Sequence, residues 1–510
     1  MKTITRLLLF LLAVCTVAGV FAACGKKKPA APDESGEKTE PVTTKEVVTD
    51  EWGQTDTQLD IGEKYDDEIK FLVRPGEQYR REWYTEGELT NTLDEKIYSR
   101  NEAVSEQLGI HMDFKLLKND EKGTYTDAVM AAYRAGRGDV DVVSAYAAYS
   151  TAVAAMECFV NLNDTERFPK MNFDQPYWNQ AFRSTAEVNG YLYTMCGDVN
   201  LSVFDRTIVT YLNKDAAARN NIDVDALYET VLDGDWIYED FLTIVTNIGY
   251  VDKDDVEGAT DGDFYTLTSI KGSEACDGFL QAFDLKVIAK DTNDNYSLVT
   301  GADRAKLDAG QTKIQALFYG SNGAKAWGNS MDNYKCFTSG NAIFNVDVIY
   351  HYASGLEMMR SMTDRIGMIP VPKYDADQQN YKASVQDAHN VMAVVYCSRS
   401  TDKHYEAVSA LLETLCYHSY HDVRPWYFER MVKTKYVEGE ADAKVFDLLL
   451  ASTAWDFADV YSNNLDAPRE MVWRAAFRKQ ESSNDRCNQY ETQINENIDK
   501  LIKWLEEHQY

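Results

Sequence analysis

Between Asp347 and His351 the chain places a carboxylate, a phenol at Tyr350 and an imidazole within five residues. Such a group can move a proton, hold a cation or hydrogen-bond a polar ligand. The motifs that would single out one of those chemistries are missing elsewhere. The seven histidines form no HExxH zinc helix, no GxSxG elbow occurs with a partnered His and Asp, and no glycine-rich phosphate loop is present. The acid- and glycine-rich run from Asp252 to Asp263 has neither a glycine at the sixth position of a calcium loop nor a glutamate at the twelfth, so it reads as a solvated surface loop. A pair of glycosidase carboxylates stays open on sequence alone, given 82 acidic residues.

The elements around Tyr350 say more about its task. Gly340 opens an apolar run, Ala342 to Val348, that predicts a buried strand. A helix follows with Ile349, Tyr352, Leu356 and Met359 on one face, and a second strand, Ile366 to Val371, leads into Pro370 and Pro372. Strand, helix, strand over about thirty residues is a βαβ unit of a parallel sheet. Ligands of open α/β sheets sit in the loops beyond the strands' carboxyl ends, where Asp347, Tyr350 and His351 stand.

The amino terminus is a targeting segment: Lys2 and Arg6, an apolar core from Leu7 to Val20, then Phe21-Ala22-Ala23 before Cys24. That core is too short to span a bilayer. Residues 25 to about 58 are Lys, Pro, Ala, Glu, Thr and Asp with almost no large apolar side chain, which predicts a disordered tether. The remaining 450 or so residues exceed one compact core. A formal charge of −30 excludes nucleic acid as a partner, because phosphates demand a basic surface. Seven cysteines beyond Cys24 are scattered singly, with no CxxC, and read as buried free thiols.

The folded body begins as alternating strands and helices. Glu68 to Val73 is a strand, followed by a loop with Arg74, Pro75, Tyr79, Trp83 and Tyr84. Asn91 to Leu108 is an amphipathic helix, Ile110 to Leu116 a strand, Thr124 to Ala135 a helix and Val140 to Ala145 a third strand. Thr207 to Leu212 is a β-branched strand, and from Tyr405 the chain is mostly helical, ending in an amphipathic helix over Gln493 to Glu507. The alternation predicts a parallel α/β sheet.

The order of these segments resembles the extracellular solute-binding proteins of sugar-type ABC importers. Cys24 and its flanks resemble a lipobox, with Phe21 where an aliphatic residue is usual. TLDEKIYSRNEAVSEQLGI, GRGDVDVV, NLND, PYWN, GYLYTMCGD, TIVTYLNKD, LDGDWIYEDF, FTSGNAIFNV and IGMIPVPKYDADQQNYKAS follow in matching sequence across nearly the whole mature chain. The resemblance implies an α/β, two-lobed type 2 periplasmic-binding-protein-like fold, its lobes joined by hinge crossovers. It implies a lipoprotein signal over 1–23, a tether over 24–57, a first lobe from 58–200 with 373–420, and a second from 201–372 with 421–510. It further implies a monomer lipidated at Cys24 on the extracellular face of a bacterial membrane, with no cofactor and no catalysis, delivering a carbohydrate to a permease.

A sugar ring offers an apolar CH face to aromatic rings and a rim of hydroxyls to planar polar groups. The candidates for such contacts lie after strands and at the crossings. Tyr146 and Tyr149 follow the third strand, Trp178 precedes the first crossing, Asp198 and Arg206 flank it, and Tyr350 stands where relatives place a stacking aromatic. Trp327, Trp455 and Trp473 are candidates for the second lobe. A peptide or polyamine carrier, a secreted glycoside hydrolase and a surface adhesin are the competing readings.

Overall fold

The computed structural model describes residues 57, 59, 61–62, 64–85, 89, 92–136, 138–254, 256–272, 274–351, 357–428 and 439–508. Cys24, the leader and nearly all of the tether lie outside these residues.

Two sheets organise the body. The first takes β1 (Asp67–Val73), β2 (Ile110–Leu116), β3 (Val142–Tyr146) and β9 (Asn390–Val394) in the order β9-β3-β1-β2. β1 runs parallel to β2, from Asp67 opposite Ile110 to Val73 opposite Leu116, and parallel to β3. β9, contributed from far along the chain, is antiparallel to β3. Ile69, Phe71 and Val73 of β1 are fully buried, whereas edge strand β2 buries Ile110 and Met112 on either side of exposed His111 and leaves Lys115 and Leu116 in solvent at its end. Helix α1 (Thr92–Leu108) buries Leu93, Ile97, Val104 and Leu108, one face at three-and-four spacing.

The second sheet holds β4 (Ile208–Asn213), β5 (Phe264–Ile270), β6 (Ala324–Trp327), β7 (Ala342–Val348) and β8 (Ile366–Ile369). Its order is β8-β4-β7-β5, with β6 and the two-residue strand Tyr250–Val251 also on β5. All seven residues of β7 are buried, as expected for a central strand covered on both faces. Each large side chain so buried stabilises by about 1.5–3 kcal/mol.

The segment around Tyr350 departs from a simple βαβ unit. β7 and β8 point the same way but are not neighbours, because β4 lies between them and is antiparallel to both. Local periodicity carries no information about a strand inserted from 130 residues upstream. β8 also stops at Ile369, since Pro370 has no amide to continue a ladder. Helical geometry starts at Ile349 and is seen again over Glu357–Arg360; Tyr352 and Leu356 lie outside the described residues.

The chain passes between the sheets on paired strands. Thr207 bridges Val385 in antiparallel fashion, Gln386 N donates to Arg206 O at 2.8 Å, and Ala383–Ser384 pairs with Thr453–Ala454. The terminal helix is longer than its apolar pattern indicates, Ser483–Glu507, because Ser482 caps it by accepting from Asp485 N. The seven described cysteines are buried free thiols.

Candidate functional site

The ends of both sheets carry the polar aromatic groups. Arg74 leaves β1 and lies flat against two rings, its guanidinium carbon 3.5 Å from the Tyr79 centroid and 4.6 Å from that of Tyr146. Asp120 fixes it through Nε at 2.8 Å and Nη2 at 2.6 Å, and Nη1 donates to Ala388 O at 2.7 Å. Tyr146, the last residue of β3, meets Tyr149 edge-on at 4.6 Å. Burial and the carboxylate of Asp387, which accepts from its hydroxyl, push the Tyr146 phenol well above its ordinary range. Tyr146 is therefore a neutral donor at physiological pH.

From the other edge, Arg206 and Tyr350 reach the same place. Arg206 Nη2 donates to Tyr79 Oη at 2.7 Å, and its guanidinium stands 4.8 Å from the Tyr350 centroid. Tyr350 Oη in turn donates to Gln78 Oε1 at 2.8 Å. Tyr149, Tyr146, Arg74, Tyr79, Arg206 and Tyr350 thus form one continuous ladder of rings and guanidinium groups, from the carboxyl ends of β1 and β3 to the carboxyl end of β7. Each cation–π step contributes about 0.5–2 kcal/mol, more where water is excluded. Next to the ladder is a cavity of about 130 Å³ lined by Glu77, Gln78, Asp205 and Tyr350, among others.

Behind Tyr350, His351 Nδ1 meets Asp347 Oδ1 at 2.8 Å, and Tyr334 Oη approaches the same ring nitrogen at 3.2 Å. Burial alone would lower the His351 pKa, but the Asp347 carboxylate outweighs it and holds the imidazole above its ordinary value. The contact ties the end of β7 to the turn that follows it, with Asp347 fully buried and His351 half-buried.

Four of the sequence candidates, Tyr146, Tyr149, Arg206 and Tyr350, come together in the ladder. The others do not join them. Trp178 is 1 % exposed, packs against Phe173 and donates Nε1 to Glu413 Oε2 at 2.8 Å. Trp473 is fully buried with Nε1 on Cys276 O at 2.9 Å. Both indoles have found internal partners, so neither face is open. Asp198 is buried and paired with Arg424 at 2.8 Å. Trp327 is buried at the end of β6 against the edge of Tyr265. Trp455 packs on Phe182 and His389 and lines a separate groove of about 420 Å³ with Tyr296, Tyr381 and Lys382. Sequence reading did not single out Arg74, Tyr79, Gln78 or Asp387 as site residues. The signal for the first two was an Arg-Pro-Gly exit from a strand followed by an aromatic-rich loop.

In the acidic loop, carboxylates of Asp252, Asp254 and Asp263 lie within 4.8 Å of one another. Asp263 is already engaged by Tyr250 Oη and by the amides of Lys253 and Thr260, which agrees with a self-satisfied surface turn.

No protein-family model matches the chain, and no curated protein matches it in sequence. Solved structures match it in shape. The sugar-binding protein MalE of Xanthomonas citri superposes with a TM-score of 0.53 at 14 % identity, covering 87 % of this chain and 100 % of its own. The fold is that of the two-lobed solute-binding proteins. A cyclo/maltodextrin-binding protein solved with maltotetraose gives 0.51 at 10 % identity over 87 % and 99 % of the two chains. An ABC-transporter solute-binding protein of Thermotoga lettingae bound with α-D-tagatose gives 0.51 at 12 % identity over 85 % and 100 %.

Proposed function

We propose that the protein is the substrate-binding lipoprotein of an ABC importer, holding a mono- or oligosaccharide between its lobes and passing it to a membrane permease. The observation that carries this reading is the ladder, whose rungs are contributed by both sheet edges. Aromatic faces at Tyr146, Tyr149 and Tyr350 suit the CH face of a pyranose. Planar donors and acceptors at Arg74, Arg206, Gln78 and Asp387 suit its hydroxyl rim. Neither edge supplies a full set alone, so a ligand touching both favours the closed arrangement of the lobes. The fold, shared with sugar-binding proteins, supports the same reading.

Anchoring follows from the lipobox-like Cys24, which would tether the monomer to the outer face of the cell membrane through the acidic, proline-containing linker. No catalytic step and no cofactor is assigned to the ladder, which offers planar recognition groups and no activated nucleophile.

Thermal-shift measurements over a panel of mono- and oligosaccharides, peptides and polyamines test the proposal. A ligand at 100 times its Kd stabilises by about 2.7 kcal/mol, a readily measured rise in melting temperature. A glycan is expected to give that rise. A rise with a peptide or polyamine and with no glycan would overturn the carbohydrate assignment.

A further inference from the structure

Arg206 differs from the other arginines around the ladder. Arg74 is paired with Asp120, Arg424 with Asp198, Arg469 with Asp459 and Arg474 with Asp277. Arg206 is 8 % exposed, yet no carboxylate lies within ion-pair distance of it among the described residues. Its Nη2 is taken by Tyr79 Oη, and its Nε is buried with no hydrogen-bond partner. Asp205, next in the chain, feels the Arg206 charge but makes no direct pair with it, its carboxylate receiving the Tyr427 hydroxyl. A buried guanidinium with an idle Nε–H is expensive unless an anion completes it.

We propose that the captured carbohydrate is an acidic one, whose carboxylate seats against Arg206 between the Tyr79 and Tyr350 rings. This rests on the carbohydrate reading above and narrows it. A planar carboxylate matches the edge of a guanidinium through two parallel hydrogen bonds, which a neutral hydroxyl cannot reproduce. Tyr79 and Tyr350 limit the approach to a flat group, and the ring that bears it can lie on Tyr350. The chain's net charge of −30 repels anions in general, so recognition of one has to be built locally, and Arg206 is such a local device.

The test uses the intact protein and calorimetry with uronate-containing oligosaccharides from pectic, alginate and glucuronoxylan digests, each beside its carboxyl-reduced neutral counterpart. A sulfated disaccharide set forms a third arm. The wild-type protein is expected to bind a uronate about 10- to 100-fold more tightly than its reduced form, the span of one hydrogen-bonded charge. Arg206→Gln is expected to bind both forms alike, and Arg206→Lys to recover only part of the preference. The wild-type comparison stands even where a variant fails to fold. Neutral forms binding as well as their acids, or a preference confined to the sulfated set, would overturn this inference and leave the carbohydrate reading in place. Binding of no glycan in any arm would overturn both.

Discussion

Glu82 ties the loop after β1 to Asn200 and Ser202 and to Asn390 of β9, and replacing it by glutamine has a calculable outcome. Its carboxylate is fully buried where the loop after β1 meets the first crossing. It accepts from the Ser202 amide, from Asn390 Nδ2 at 2.9 Å and from Asn200 Nδ2 at 3.4 Å. Burial pushes its pKa up to about 7, against the pull of those hydrogen bonds. An exposed glutamate titrates near 4.3, and each unit of difference is worth about 1.4 kcal/mol, so the proton on folded Glu82 is linked to about 4 kcal/mol of stability, of which about 3 kcal/mol falls between pH 4.5 and 7.5. The folded state binds that proton more tightly than the unfolded chain. Its contribution is therefore fully present below pH about 4.3 and is lost as pH rises to about 7. Glu82→Gln cannot ionise. It carries a pH-independent penalty for turning an amide toward the Asn390 amide, and nothing that changes over this range. Urea unfolding of both proteins between pH 4.5 and 7.5 should show their stability difference shifting toward the variant by about 3 kcal/mol. Groups that titrate in both proteins cancel in that difference. A difference that stays constant across the range would refute the buried-acid argument.

Three further outcomes follow from other sites. Tyr350→Ala removes a ring that stands over Arg206 and a hydrogen bond to Gln78, so glycan affinity measured by calorimetry should fall about 30- to 100-fold, the equivalent of 2–3 kcal/mol. Unchanged affinity would take Tyr350 out of the site. His404 is half-buried between Asp67 and Asp141; partial burial lowers its pKa, but the two carboxylates prevail and raise it to about 9. Its stabilising effect is complete below pH about 6.5 and lost as pH rises through 9, so the wild-type advantage over His404→Gln in melting temperature should vanish above pH 9. At Gly197 an added methyl would meet Cys416 Sγ at 2.6 Å and the Tyr177 carbonyl oxygen at 2.9 Å, so Gly197→Ala should destabilise by about 1–3 kcal/mol in chemical denaturation.

Local pattern revealed the parts of the fold that are local. The Ile110–Leu116 strand stands as its alternation predicts, and the helix over Thr92–Leu108 begins within one residue of expectation. Strand insertion is not local, which is why β4 between β7 and β8 was invisible from the run around Tyr350. The partners of the tryptophans were hidden for a related reason. Trp178 and Trp473 follow loops and segment ends as ligand-stacking residues do, but Glu413 and the Cys276 carbonyl, 235 and 197 residues away in sequence, satisfy their indole nitrogens inside the body. Tyr146 and Tyr350 were legible because a strand's carboxyl end places the next side chain at the sheet edge regardless of what lies opposite. Their meeting through Arg74, Tyr79 and Arg206 depends on the lobes' approach, which spacing along the chain does not encode.

A crystal structure of the protein with the glycan that raises its melting temperature most would test the central claim directly. The account predicts a sugar ring against Tyr146, Tyr149 or Tyr350, with hydrogen bonds from Arg74 or Asp387 on one edge and Arg206 or Gln78 on the other. A sugar held by residues of one sheet edge alone, or bound only in the groove beside Trp455, would contradict it.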